Sequence, residues 1–480
     1  MHGYIRRVIV AAAAGVALST VGVAGASASA AASRGPQAVR VSSAGTHAAV
    51  SPGAQLWAKL YNGSPTLGHA ESVAVSPDGK TVFVTGSKGE DDYVTIAYNA
   101  ATGAQLWIKL YKGPTGSGNI AKAVAVSPDG STVFVTGEGS TAASGATYVT
   151  IAYNAATGAQ RWIKAYNGVV AVNFANALAV SPNGKTVFVT GQGDSASFVE
   201  QYATVAYNAA TGAQLWAKRY GGPGSSNDIA HSVAVSPNGN TAFVTGTSTS
   251  PTFTDEATVA YNAATGAQLW VKRHSGVLLS ANGYYNSVAV SPTGGAVYVT
   301  GINGDASSAG AGYDTIAYNA ATGAQLWAKR YSSSGGALSL AVSPDGSTVF
   351  ATGETFRPGA GIGYATVAYN AATGAQLWAK SYVGNLGAIP RALAYSVAVS
   401  PSGGTVYVTG LSWKAGFDYA TIAYNAATGA QQWIKLYAFP GNNSTEGLGP
   451  VAEAVSPTTG TVIVTGADVA GEWATVAYSG

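Results

Sequence analysis

The sequence predicts an all-β fold: an eight-bladed β-propeller of four-stranded antiparallel blades, its ring closed by the N-terminal strand completing the last blade. Three observations carry this. The segment Gly-Ala-Gln-x-Trp recurs with Trp57, Trp107, Trp162, Trp216, Trp270, Trp327, Trp378 and Trp433, spaced 50 to 57 residues apart. Between consecutive tryptophans the same three further blocks return, so each period holds four short segments. The array also begins and ends on incomplete units that complement each other.

In chain order, Arg6 and Arg7 precede an apolar stretch from Val8 to Gly25 and the small-residue run Ala26 to Ala30. That is the order of a secretory signal, expected over residues 1–30. Residues 31–52, rich in Ala, Ser, Gly and Val, read as a flexible linker. From residue 53 the repeats start. Strand A is the Val73-Ala74-Val75-Ser76-Pro77 type, strand B runs Val82 to Gly86, strand C Tyr93 to Asn99, and strand D carries the tryptophan. β-branched and aromatic residues over five to seven positions are strand composition. Ser76-Pro77-Asp78-Gly79 suits a type I turn between A and B. Asn99 to Gly103 offers an Asx side chain and a glycine for positive φ between C and D. Four strands in ~40–50 residues is the signature of a propeller blade. The array opens with an orphan strand D, Ala54 to Tyr61, and ends with an orphan strand C, Ala474 to Tyr478. Pairing them gives the eighth blade and removes the exposed edges of an open array. A single domain over 53–480 is therefore expected, although the 480-residue length alone would admit two to four.

Composition excludes several classes. Charged residues make up 9%, against about 25% in an average domain. The net charge of +3 falls to +1 without Arg6 and Arg7, so no nucleic-acid binding is expected. The chain has no cysteine, which removes disulfides, thiolate nucleophiles and Cys-ligated metals. No later apolar run reaches the ~20 residues of a spanning helix. His69, His231 and His274 are the histidines within the repeats, and none stands at metal-ligand spacing from another. No nucleophile elbow opens a helix. Asn62-Gly63-Ser64 and Asn442 to Thr445 match the glycosylation sequon.

The run Ala97-Tyr98-Asn99-Ala100-Ala101-Thr102-Gly103-Ala104-Gln105-Leu106-Trp107 resembles the tryptophan-docking motif of quinoprotein dehydrogenases, the PQQ-like repeat propellers. Asn stands in place of the family's Asp in each of seven contiguous copies, and the eighth is split between Ala477-Tyr478 and Gly53 to Trp57. The resemblance implies that each indole packs on the turn of a neighbouring blade. It also implies what quinoprotein chemistry would need: a catalytic Asp, acidic and amide calcium ligands, and often a vicinal cysteine pair. The cysteines are absent and no singular acidic constellation stands out from the repeats, so pyrroloquinoline quinone is not expected.

Strand order puts the A–B and C–D turns on one face and the B–C and D–A connections on the other. The first pair is nearly invariant between repeats and the second varies, and variable loops on a fixed scaffold are where binding resides. Of 21 acids, 18 fall in or beside the variable connections with only six bases, while a lysine follows each tryptophan by two residues, Lys59 to Lys435. That lysine girdle reads as protection of the outermost strands. The acidic face could attract cations, Ca²⁺ or basic proteins. The residue entering each inner strand reads Glu71, Lys122, Asn176, His231, Asn286, Leu338 and Tyr395, with the eighth blade irregular around Glu453. These positions are expected to ring the channel mouth, a candidate ligand site. Trp413, Tyr284 and Tyr285 are aromatics outside the blade pattern on the same face. The expected function is a secreted, monomeric, non-catalytic propeller binding a protein or glycan there. The alternatives are a quinone-dependent dehydrogenase, a hydrolase or lyase using Glu71, His231 or Glu453, and a structural envelope or matrix component.

Overall fold

The computed structural model describes residues 50–480 apart from 63–67, 90, 115, 117, 142–144, 169–172, 198, 224–227, 250–253, 278–286, 304–311, 332–333, 358–360, 385–391, 414–416, 439–449 and 468–470. The expected secretory segment and most of the expected linker lie outside the described residues, as do Asn286, Tyr284 and Tyr285.

Eight four-stranded antiparallel sheets follow one another as blades. Blade 1 is typical: strand A is His69–Val75, B is Thr81–Lys88, C is Asp92–Asn99 and D is Gln105–Tyr111. Blades 2 to 7 repeat this order, in residues 120–166, 173–220, 229–277, 287–331, 334–382 and 392–438. Blade 8 takes its inner three strands from the C-terminus, Pro450–Val455, Val462–Ala467 and Glu472–Tyr478, and its outer strand, Gln55–Asn62, from the start of the array. The two pair from Gln55↔Tyr478 to Asn62↔Glu472, and Gly53 N–H donates to Ser479 O at 2.8 Å. The ring closes as the orphan strands require.

The turns do what their residues dictate. In the first A–B turn, Gly79 N–H donates to Ser76 O at 2.8 Å and Ser76 Oγ donates to Asp78 Oδ1 at 2.6 Å. In the C–D turns the Asn side-chain oxygen accepts two backbone N–H groups, as Asn262 does from Ala264 and Thr265 at 3.1 and 3.0 Å. Asn serves as well as the family's Asp here because only an acceptor oxygen is needed. The glycine ending this turn is constrained twice. Gly266 has φ +69°, and a Cβ on it would lie 2.7 Å from Trp216 Cδ2 of the preceding blade. The indole is held there by Trp216 Nε1 donating to Ala263 O at 2.9 Å. The same bond, at 2.8–3.0 Å, joins six other pairs of neighbouring blades, from Trp57 to Ala100 O through Trp378 to Ala426 O. At the closing joint Trp433 lies under Gly53 in the same way. The girdle lysines add their stems to this contact, Lys59 Cε lying against Gly103 and Lys435 Cε against Gly53, so they cover apolar surface as well as charging the edge.

One buried apolar cluster lies at each of the eight joints between blades. Each blade is also pinned internally by a buried threonine pair between B and C, from Thr85 with Thr95 to Thr465 with Thr475, at 2.9–3.2 Å. This repetition is the background against which departures can be read.

Candidate functional site

The inner strands carry the first departure. In seven blades the A–B register slips by one residue, as between Ala70 and Ser72 or between Ala230 and Ser232. A bulge leaves one residue unpaired and re-aims its side chain. The bulged residues are Glu71, Lys122, Asn176, His231, Leu338 and Tyr395, with Val451 in blade 8.

The structure joins neighbours within this ring. Lys122 Nζ sits 2.9 Å from Glu71 Oε1 across the joint of blades 1 and 2, with the two side chains only 11% and 6% exposed. Glu71 Oε2 and Asn176 Oδ1 are buried without a hydrogen-bond partner. Asn176 Nδ2 donates to Ala230 O of blade 4 at 2.8 Å, beside His231, whose Nε2 lies 3.4 Å from Thr247 Oγ1. Leu338 is buried and Tyr395 half-buried.

Glu453 does not belong to this ring. It pairs with Val464 in the register at which Val73 pairs with Val84, two residues past the bulge, and it is 0% exposed. The bulged position of blade 8 is Val451. Counting five residues back from Ser456, as Glu71 stands from Ser76, would have shown this.

A larger departure lies at the variable-face end of blades 3 to 5. There strands C and D of a blade bring two aromatics together, as in Tyr93 with Tyr111, Tyr202 with Tyr220, Tyr313 with Tyr331 and Trp473 with Tyr61, centroids 5.2–5.7 Å apart. In several joints the strand C tyrosine also donates to a carbonyl of the next blade, Tyr202 to Ala257 O and Tyr313 to Ala365 O, both at 3.1 Å. Blade 4 has Glu256 opposite His274 at this register instead. The next blade answers with Asp314, where its neighbours carry Ala257 and Ala365. His274 Nε2 lies 2.9 Å from Asp314 Oδ2, and Arg330 Nε lies 3.6 Å from Asp314 Oδ1. A tyrosine strut between blades is thus replaced by a histidine–carboxylate pair with a second carboxylate alongside. The bond to Asp314 holds the His274 pKa above its ordinary value; burial opposes this, the Asp314 and Glu256 charges add to it, and Arg330 works against it.

The network continues into blade 3. The Arg273 guanidinium meets Asp255 Oδ2 at 2.7 and 3.2 Å, Ser248 Oγ at 2.6 Å and Tyr220 OH of blade 3 at 3.1 Å. Asp228 accepts from Gly222 N at 2.7 Å and Thr249 N at 3.0 Å, while its burial raises its pKa. Separately, within blade 3, Arg219 donates to Asp194 O. Much of this network is buried, but Arg330 is 47% and His274 27% exposed, so its blade 5 end reaches solvent. The spacing test for histidines missed this set because its members come from three blades. Aligning the repeats column by column would have shown Glu, His and Asp each standing alone in its column.

The sequence matches the PQQ-like repeat family described as outer membrane protein assembly factor BamB, over residues 9–196, 201–356 and 312–472. The chain belongs to this family. No curated protein matches it in sequence. Among solved structures it is similar to Sqt1 of Chaetomium thermophilum bound to the N-terminus of the ribosomal protein L10, with TM-score 0.58 and 14% identity over 88% of this chain and 98% of that one. It is similar to the Dos1 propeller, with TM-score 0.57 and 10% identity over 88% and 94% of the two chains. It also resembles quinohemoprotein alcohol dehydrogenase from Comamonas testosteroni, with TM-score 0.56 and 15% identity over 89% and 76%. At these identities the likeness is one of fold.

The quinone that the family's repeat suggests needs a calcium held by converging acid and amide ligands. Among the described residues no three His, Asp or Glu side chains are grouped to hold a metal. The inner ring's one acid, Glu71, is bound to Lys122. Among the described residues, then, no ligand set of that kind is gathered.

Proposed function

We propose that this protein is an exported, non-catalytic, monomeric propeller that binds a protein or a glycan through its variable face, centred on blades 3 to 5. The observation that carries this is the set of Glu256, His274, Asp314 and Arg330 at the joint of blades 4 and 5, with the Arg273–Asp255 pair beside it. The fold repeats its structural solutions in blade after blade, so a set of charged side chains that replaces an aromatic pair in one blade alone answers something other than the fold. Its reach to solvent at His274 and Arg330 gives a ligand polar groups to meet. Arg presents a fork of donors suited to planar acceptors. Sqt1, a propeller of similar shape, is described with a protein N-terminus bound, which supports the class of function and not the partner.

The test compares two variants on a glycan array and against envelope proteins of the source organism. Arg330→Ala with His274→Tyr alters the variable face, and Leu326→Ser alters the constant one. Loss of the same ligand in the first variant alone supports the assignment. Equal retention of every ligand by both refutes it.

One observation favours a second reading. A histidine held by Asp314, with Glu256 opposite it, is an arrangement that serves general acid–base chemistry. An activity abolished by His274→Gln at unchanged stability would favour an enzyme over a binding module.

A further inference from the structure

We propose that Glu453 makes the joint between blades 7 and 8 a proton-dependent latch, closed when its carboxyl is neutral and loosened when it ionises. The position is a core position. Valine or leucine occupies it in every other blade, from Val73 in blade 1 to Val397 in blade 7, each facing the preceding blade across the inner strands. In several joints its amide is bonded to a serine of that blade, as Val124 N is to Ser72 Oγ at 3.3 Å and Val397 N to Ser339 Oγ at 3.3 Å. Inner strands therefore approach closely here, and blade 8 places a carboxyl in the gap.

The carboxyl has no cation to offset its charge among the strands packed against it. Glu453 is 0% exposed, and neither of its oxygens makes a hydrogen bond of good geometry. The strands packed against it are the inner strands of blades 7 and 1 and strand B of blades 7 and 8. Their titratable residues are Tyr395, Tyr407, His69 and Glu71, and none of these strands carries a lysine or arginine. Tyr364 of blade 6 also feels its charge. Burial accordingly holds the Glu453 carboxyl well above the usual carboxylate range, and the Ala398 N–H nearby favours the charged form by less. An unpaired carboxylate in an apolar site either takes up a proton or forces the site open to water.

The joint it occupies lies between blades 7 and 8. Among the described residues its cluster gathers nine buried apolar side chains, against 13 or 14 at six of the other joints. It also adjoins the one blade assembled from both ends of the array. Ionisation of Glu453 therefore acts at the joint that closes the ring onto blade 8.

The sign follows from linkage. A carboxyl whose pKa is raised by folding stabilises the closed state fully below its ordinary pKa of about 4.3, and that stabilisation is lost as pH rises toward the folded value. Over that window the opening equilibrium of the joint rises about tenfold per pH unit.

Hydrogen exchange on the purified protein tests this, read at the Ala398 and Val455 amides from pH 5 to pH 8 after correction for intrinsic exchange. The wild type should open progressively more as pH rises from 5, by at most about tenfold per pH unit and levelling off above the folded pKa of Glu453. Glu453→Val, which restores the residue type of the other blades, and Glu453→Gln, which cannot ionise, should both be flat over the same range. His274 adds its own dependence at the joint of blades 4 and 5, so the comparison is made at blades 7 and 8. A flat wild-type profile, or a Glu453→Gln profile as steep as the wild type, overturns the proposal.

Discussion

Gly266 allows the tryptophan contact between blades to be measured apart from backbone strain. Substituting alanine there has two costs. An L-residue at φ +69° is destabilised by about 1–2 kcal/mol relative to glycine. The new methyl would also lie 2.7 Å from Trp216 Cδ2, and such overpacking costs about 1–3 kcal/mol. Gly239, in the A–B turn of the same blade, has nearly the same φ, +74°, but its Cβ would meet nothing nearer than Pro182 Cδ at 3.7 Å. Gly239→Ala therefore carries the backbone cost alone. The expected loss is about 2–5 kcal/mol for Gly266→Ala and about 1–2 kcal/mol for Gly239→Ala. Entropy lost by the unfolded chain is the same for both and cancels in the comparison. Urea unfolding followed by tryptophan fluorescence gives both values. In a Trp216→Ala background the excess at Gly266 should vanish, because the methyl then has a cavity to enter. Equal losses at the two glycines, or an excess that survives removal of the indole, would refute the claim that the glycine is there for the tryptophan.

Three further outcomes are expected. Trp216→Ala should cost about 3–5 kcal/mol through loss of a buried indole, and Trp216→Phe less, chiefly the bond to Ala263 O at about 1 kcal/mol; urea midpoints of the two order them. Deleting residues 53–61 should strip blade 8 of the strand that pairs from Gln55 to Asn62 and leave an exposed edge, so light scattering should show association and unfolding should begin earlier; a monomer of unchanged stability would contradict the closure. His274, with its pKa raised by Asp314, should contribute stability that is complete below about pH 6.5 and lost as pH rises through the higher folded value; Asp314→Ala should flatten that part of the stability–pH curve.

The architecture was legible because its signals are local. Positive φ suits glycine at Gly79 and Gly103, the Pro at the second position of each A–B turn fixes φ, and the indole marks strand D, so each blade announces its own turns. Closure was legible because a strand C without a strand D is an unsatisfied edge. The network of blades 3 to 5 was harder to see, because Glu256, His274 and Asp314 lie 18 and 40 residues apart. Register sets Glu256 opposite His274, and blade adjacency brings Asp314 to His274. Glu453 was misplaced for a related reason. A polar residue near the start of an inner strand looks like a mouth residue until it is counted from the turn, and the pairing with Val464 turns it from the channel to the joint.

The two departures share a physical character that bears on how the ring works. The joint of blades 4 and 5 gathers ten buried apolar side chains among the described residues and that of blades 7 and 8 nine, fewer than the 13 or 14 at each of the other six. Each is the joint where a titratable group replaces an apolar or aromatic one, His274 with Glu256 in the first and Glu453 in the second. Both groups have pKa values raised by folding, so both joints tighten as protons are taken up. A ring whose joints were all alike would have no preferred place to yield. Here both proton-sensitive groups sit at joints between blades, so acid should tighten these two joints and alkali loosen them.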